Sequence, residues 1–247
     1  MLQLGLLCQL FRFCNNKIKI QCMQVNKTWL NELSRCECYN EYGMCTLIND
    51  ISNSGNINLL DYFYQNKNIP FVYSQNAMDT ASCNGYTHIL NWWLSKYVQD
   101  KLEMKYSSLS IDVACMRGDM NILNWWTNLN DKYKFPFRYT ELSFDSINNH
   151  EVLDWWKCIN KKQQIDINLS FVMNAILNKN RIHIQFWLDI NSSRYNIYGG
   201  AFLYQRYKSD IHEWMEVNFP SLHNIWMSQK ISYLGCTGPT GPQGRNY

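Results

Sequence analysis

The chain has 247 residues, 46% hydrophobic and 15% aromatic, which is enough apolar material to build a substantial core and argues against disorder. Its 23 basic and 20 acidic residues are mixed along the sequence, so the net charge of +3 creates no broad positive field and nucleic acid is not implied as a partner. The first apolar stretch, Leu2 to Phe13, is interrupted by Gln3, Gln9 and Arg12 and is too brief to cross hydrocarbon. No basic segment precedes it, and Cys14 to Lys17 make no small-residue cleavage site, so a cytosolic product without a membrane span is expected.

Ten cysteines fall at 8, 14, 22, 36, 38, 45, 83, 115, 158 and 236, with no C-x-x-C pair. Cys36, Cys38 and Cys45 have no histidine nearby, so reduced structural thiols are expected in place of disulfides or a zinc site. The segment from Ile20 to Trp29 is amphipathic, and its Val25-x-Lys27-x-Trp29 element is similar to the C-terminal half of an F-box, with Leu6, Leu7, Leu10 and Phe11 as a preceding apolar helix. That resemblance implies docking to a ubiquitin ligase adaptor through Val25, Lys27 and Trp29. The plainer alternative is that Val25 and Trp29, four residues apart, cap the exposed hydrophobic end of the downstream helices, with Lys27 in solvent.

From residue 59 onward a phrase of two aliphatics, a polar residue and two aromatics returns. It reads Leu59-Leu60-Asp61-Tyr62-Phe63, Ile89-Leu90-Asn91-Trp92-Trp93, Ile122-Leu123-Asn124-Trp125-Trp126 and Val152-Leu153-Asp154-Trp155-Trp156. Two weaker copies follow, ending at Trp187 and Trp214. Counted at the last aromatic the intervals are 30, 33, 30, 31 and 27 residues, the period of a helical repeat. Five residues before the second aliphatic stand Gly55, Gly85 and Gly118, suited to the positive φ that ends one helix and starts the next. Asn148, Lys179 and Arg206 take that place later, and reshaped turns are expected at the last two.

Within each phrase the spacings of three and four predict a helix with a buried stripe. The expected core is Leu60, Phe63, Leu90, Trp93, Leu123, Trp126, Leu153, Trp156, Ile184, Trp187, Ile211 and Trp214. Adjacent tryptophans point about 100 degrees apart, so one is expected to fill the groove of its own helix pair and the other to pack on the next repeat. Asp61 and Asp154 share a phrase position with Asn91 and Asn124 and are expected to be polar surface. The links after these helices are long and polar, carry Pro70 and Pro136, and are the expected partner-contacting parts.

Gly85 to Trp93 and Gly118 to Trp126, each a glycine, a short polar segment, an aliphatic pair and two aromatics, resemble divergent ankyrin repeats of the kind encoded by giant DNA viruses. The Thr-Pro-Leu-His element usual in that family is absent from Ser74 to Asp79 and from Tyr106 to Ile111. The resemblance implies an all-α solenoid of ankyrin-like helix-turn-helix repeats that binds a host or viral protein in the host cytoplasm, or else a minor component of a virus particle. The expected organisation is a helical cap or partial F-box-like segment over 1–50, the repeats over 51–218, a helical or irregular segment over 219–234, and a tail over 235–247. That tail holds four G-X-Y triplets from Gly235 to Asn246 that resemble collagen and are too few to hold three chains together.

No phosphate-binding glycine loop and no His-Glu-x-x-His segment is present, and His88, His150, His183, His212 and His223 are dispersed along the chain. A monomeric, non-enzymatic chain without cofactor or metal is expected.

Overall fold

The computed structural model describes residues 14–25, 41–145, 149–162, 164–165, 167, 169–191 and 209–224. The protein is all-α, and the described residues contain no strand. In chain order the helices are α1 (Asn16–Val25), α2 (Glu41–Asn53), α3 (Ile57–Gln65), α4 (Asn76–Cys83), α5 (Thr87–Asp100), α6 (Leu109–Arg117), α7 (Met120–Tyr133), α8 (Leu142–Asp145), α9 (His150–Lys162), α10 (Leu169–Leu177), α11 (Arg181–Asn191) and α12 (Ser209–Asn218). Two compact units divide the chain, Met1–Val152 and Leu153–Tyr247.

In the first unit α2 packs on α4, α4 on α6 and α6 on α8, while α3 packs on α5 and α5 on α7. First helices and second helices thus form two parallel series, joined within each pair by a tight turn; the second helix is the longer in the α4–α5 and α6–α7 pairs and the shorter in the α2–α3 pair. The turns follow from local chemistry. Asn56 and Asp119 each accept a hydrogen bond from a backbone N–H three residues on, at 3.0 and 3.2 Å, which starts α3 and α7. Gly118 ends α6 at φ +67°, its N–H bonding back to Ala114 and Cys115 carbonyls. A Cβ there would also lie 2.8 Å from Asn149 Nδ2, so both conformation and space call for glycine.

The phrase residues fill the space between the helices. Leu60, Phe63, Leu90, Trp93, Leu123 and Trp126 are all buried, with Ile48, Ile51, Ile111 and Ala114 facing them from the first helices. Tyr73 and Tyr106, from the links, lie tilted against Trp93 and Trp126 with ring centroids 4.6 Å apart in both cases.

In the second unit Leu153, Trp156, Ile184 and Trp187 are buried and Phe171 of α10 stacks on His183 of α11 at 5.2 Å. Ile211 and Trp214 of α12 are half-buried, and Met215 is the fully enclosed residue of that helix. Lys179 adopts φ +52° between α10 and α11, so this turn keeps the left-handed geometry despite its side chain. The expectation of a reshaped turn is corrected there: a single left-handed lysine costs about 1–2 kcal/mol, which the packing of Phe171 and Phe186 can offset. Asn148 and Arg206 lie outside the described residues.

Candidate interaction surface and the contacts that hold it

The first helices α2, α4 and α6 each carry a buried polar side chain that reaches forward to the start of the next first helix. Asp79 of α4, 1% exposed, accepts from Ser107 N at 2.9 Å, Ser107 Oγ at 2.6 Å and Ser110 Oγ at 2.7 Å. Thirty-three residues on, Asp112 of α6 accepts from Thr140 N at 2.8 Å, Thr140 Oγ1 at 2.8 Å and Ser143 Oγ at 2.5 Å. In the preceding pair Asn49 holds Ser74, accepting from its N–H at 3.1 Å and donating to its hydroxyl at 2.8 Å. A buried carboxylate is costly unless its lone pairs are satisfied, and three donors at each aspartate meet that need without a cation.

The links add a second forward contact. Tyr73 donates its hydroxyl to Glu103 O at 2.7 Å and Tyr106 to Pro136 O at 2.8 Å. Lys105 and Arg138, also 33 apart, reach back over those rings at 4.7 and 4.9 Å. Burial first, then the charge of Glu103 and then Tyr64, pushes the Tyr73 phenol up to about 12. Burial raises Tyr106 as well, partly offset by the Arg138 charge. Burial and then the charge of Asp79 push the Cys83 thiol up, against the opposing influence of Arg117 and a backbone hydrogen bond.

On the second helices the contacts run backward. Trp92 Nε1 donates to Asp61 Oδ1 at 2.7 Å and Trp125 Nε1 to Asn91 Oδ1 at 2.8 Å, so the polar residue of one phrase receives the first tryptophan of the next. Lys96 also pairs with Asp61 at 3.4 Å. The second tryptophan reaches the first helix of the preceding pair, where Trp126 Nε1 donates to Ser82 Oγ at 3.3 Å. Asp61 is polar surface as expected, its side chain 42% exposed, and is in addition an acceptor for a neighbouring indole; the indole N–H groups of Trp92, Trp125 and Trp126 all point to the preceding pair.

The outer side of α6 and the start of α8 carry exposed apolar side chains. Leu109, Val113 and Met116 lie at i, i+4 and i+7 on one side of α6, with Leu109 43% and Met116 48% exposed. Leu142 stands in α8 at the position of Leu109, 33 residues later, and is 53% exposed. Asn76 and Cys83 occupy the equivalent places in α4. Among the described residues the other exposed large hydrophobics, Ile18, Val98, Ile182 and Val217, are scattered over α1, α5, α11 and α12.

Compared with known proteins, the chain matches no family model, no curated protein and no solved structure. Of the residues expected to dock an adaptor, Lys27 and Trp29 lie outside the described residues; Val25 ends α1, and its side chain is not described. Among the described residues no group of three or more His, Cys, Asp or Glu side chains is placed to hold a metal, and no helix is long and apolar enough to cross a membrane. His88 Nε2 donates to Gly55 O, 2.9 Å away, and Asp154 joins Asp189 around Lys157 at 3.5 and 2.9 Å. The hydrogen bond to Asp189 is the largest influence raising the Lys157 ammonium above its usual range.

The forward contacts are what sequence reasoning missed. A signal was present: Tyr73-Ser74-x-x-Ala77-Met78-Asp79, Tyr106-Ser107-x-x-Ser110-Ile111-Asp112 and Tyr139-Thr140-x-x-Ser143-Phe144-Asp145 share one pattern at steps of 33. A search for Thr-Pro-Leu-His passes over it, because here the acceptor and its hydroxyl partners lie on consecutive repeats.

Proposed function

We propose that the chain is a non-enzymatic protein-interaction scaffold, a stack of ankyrin-like helix pairs that presents the outer side of its first helices to a protein partner. The stack is supported by the identical buried contacts at Asp79 and Asp112 and by the two series of helices they join. The observation that carries the binding role is the exposure of Leu109 and Leu142 at matching places on α6 and α8, with Met116 exposed two turns along α6 from Leu109, where apolar side chains give a solvated face no stability. Affinity purification with the intact chain and with the triple variant Leu109→Asp, Met116→Asp, Leu142→Asp tests it. Loss of the main partner from a variant that melts at the parent temperature is the expected outcome. Recovery of that partner in equal amount by both chains contradicts the reading.

A further inference from the structure

The three forward contacts are not equal, and their differences are correlated. Asp79 meets Ser110 and Asp112 meets Ser143, whereas Asn49 meets no hydroxyl at the equivalent place, which is Ala77. Ala77, Ser110 and Ser143 are all fully buried, so the change from hydroxyl to methyl is made in the same dry environment. The carboxylate takes three hydrogen bonds and the amide joins only Ser74 in the following pair. Asparagine beside alanine leaves no orphan hydroxyl; aspartate beside alanine would have an unused lone pair, and asparagine beside serine an extra hydroxyl to satisfy.

A second observation falls at the same junction. Ser52 and Trp93 are the counterparts of Ser82 and Trp126, whose side chains are hydrogen-bonded across a junction at 3.3 Å. Ser52 Oγ and Trp93 Nε1 are buried and have no hydrogen-bond partner among the described residues. Between α2 and the α4–α5 pair both buried polar contacts are thus reduced, the one at Asn49 toward the start of α4 and the one at Ser52 toward α5, while the second-helix side keeps Trp92 and Lys96 on Asp61.

We infer that positions 49, 79 and 112, with 77, 110 and 143, form a two-residue junction code, and that the Asn49–Ala77 junction is a built-in opening point at which α2 separates from α4 while α3 stays held on α5. The cost of opening is set by the buried hydrogen bonds that must break, so the junction lacking a carboxylate–hydroxyl pair opens first.

The amides of Ser74, Ser107 and Thr140 donate to Asn49, Asp79 and Asp112, so their hydrogen-exchange protection factors report each junction in the intact chain. Ser74 is expected to be protected about tenfold less than Ser107 and Thr140, the factor carried by roughly one net buried hydrogen bond. The double variant Asn49→Asp, Ala77→Ser should raise Ser74 protection about tenfold, and neither single change should do so. The reverse transplant, Asp79→Asn with Ser110→Ala, should lower Ser107 protection by a similar factor and leave Thr140 unchanged; it serves as the deciding variant should the first transplant not fold. Equal protection at Ser74 and Ser107 in the parent overturns the inference, as do single effects that add up to the double.

Discussion

The two sides of the first unit solve the same joining problem differently. On the second helices the work is done by area: Trp93 and Trp126 are almost fully enclosed, and their neighbours Trp92 and Trp125 hold the preceding phrase through one indole N–H each. On the first helices aliphatic residues such as Ile48, Ile51 and Ile111 are buried as well, and on α4 and α6 a buried aspartate with three donors fixes where the next helix begins. Burial of large rings favours contact without specifying position, whereas a carboxylate surrounded by two hydroxyls and an amide tolerates one arrangement. The stability of the unit therefore resides mainly on one side and its register on the other.

That division can be broken from either side. Trp126→Ala removes the largest enclosed side chain of its pair and is expected to cost about 3–5 kcal/mol in urea denaturation, since the cavity cannot collapse against Tyr106 and its neighbours. A melt unchanged from the parent would show that the indole is not enclosed. Asp112→Ala leaves Thr140 N–H and the hydroxyls of Thr140 and Ser143 without their acceptor and is expected to cost about 2 kcal/mol. Asp61→Asn sharpens the comparison from the other end, because Asn91 already performs that task for Trp125. Its effect should stay within about 0.5 kcal/mol, and a larger loss would assign weight to the Lys96 pair.

Much of the helical layout was legible in the sequence because its signals are local. The phrase Ile-Leu-Asn-Trp-Trp sets a helical stripe by itself, and Leu90, Trp93, Leu123 and Trp126 are buried as the spacing predicts. Gly55, Gly85 and Gly118 all take positive φ, as expected of the residue that adopts it without strain. Lys179 shows the limit of that argument, since the same conformation is imposed there on a residue that disfavours it. The direction of the tryptophan contacts was not legible, because spacing along one helix gives angles around its axis and says nothing of which neighbour lies at each angle. Asp79 and Asp112 were overlooked for a related reason: their partners stand 28 and 31 residues away, and a charged residue in a short helix reads as surface until those partners are placed beside it. The open apolar face was equally hidden, because Leu109 and Leu142 look like core residues in a linear reading.

Hydrogen exchange at two backbone amides tests the joining role of the buried aspartates most directly. Ser107 and Thr140 stand just ahead of the first helices, and each N–H finds its acceptor in an aspartate of the preceding pair. Both should be strongly protected in the parent chain; Asp79→Ala should release Ser107 alone and Asp112→Ala should release Thr140 alone. Exchange of both amides at open-chain rates in the parent would mean that no such contact joins the pairs.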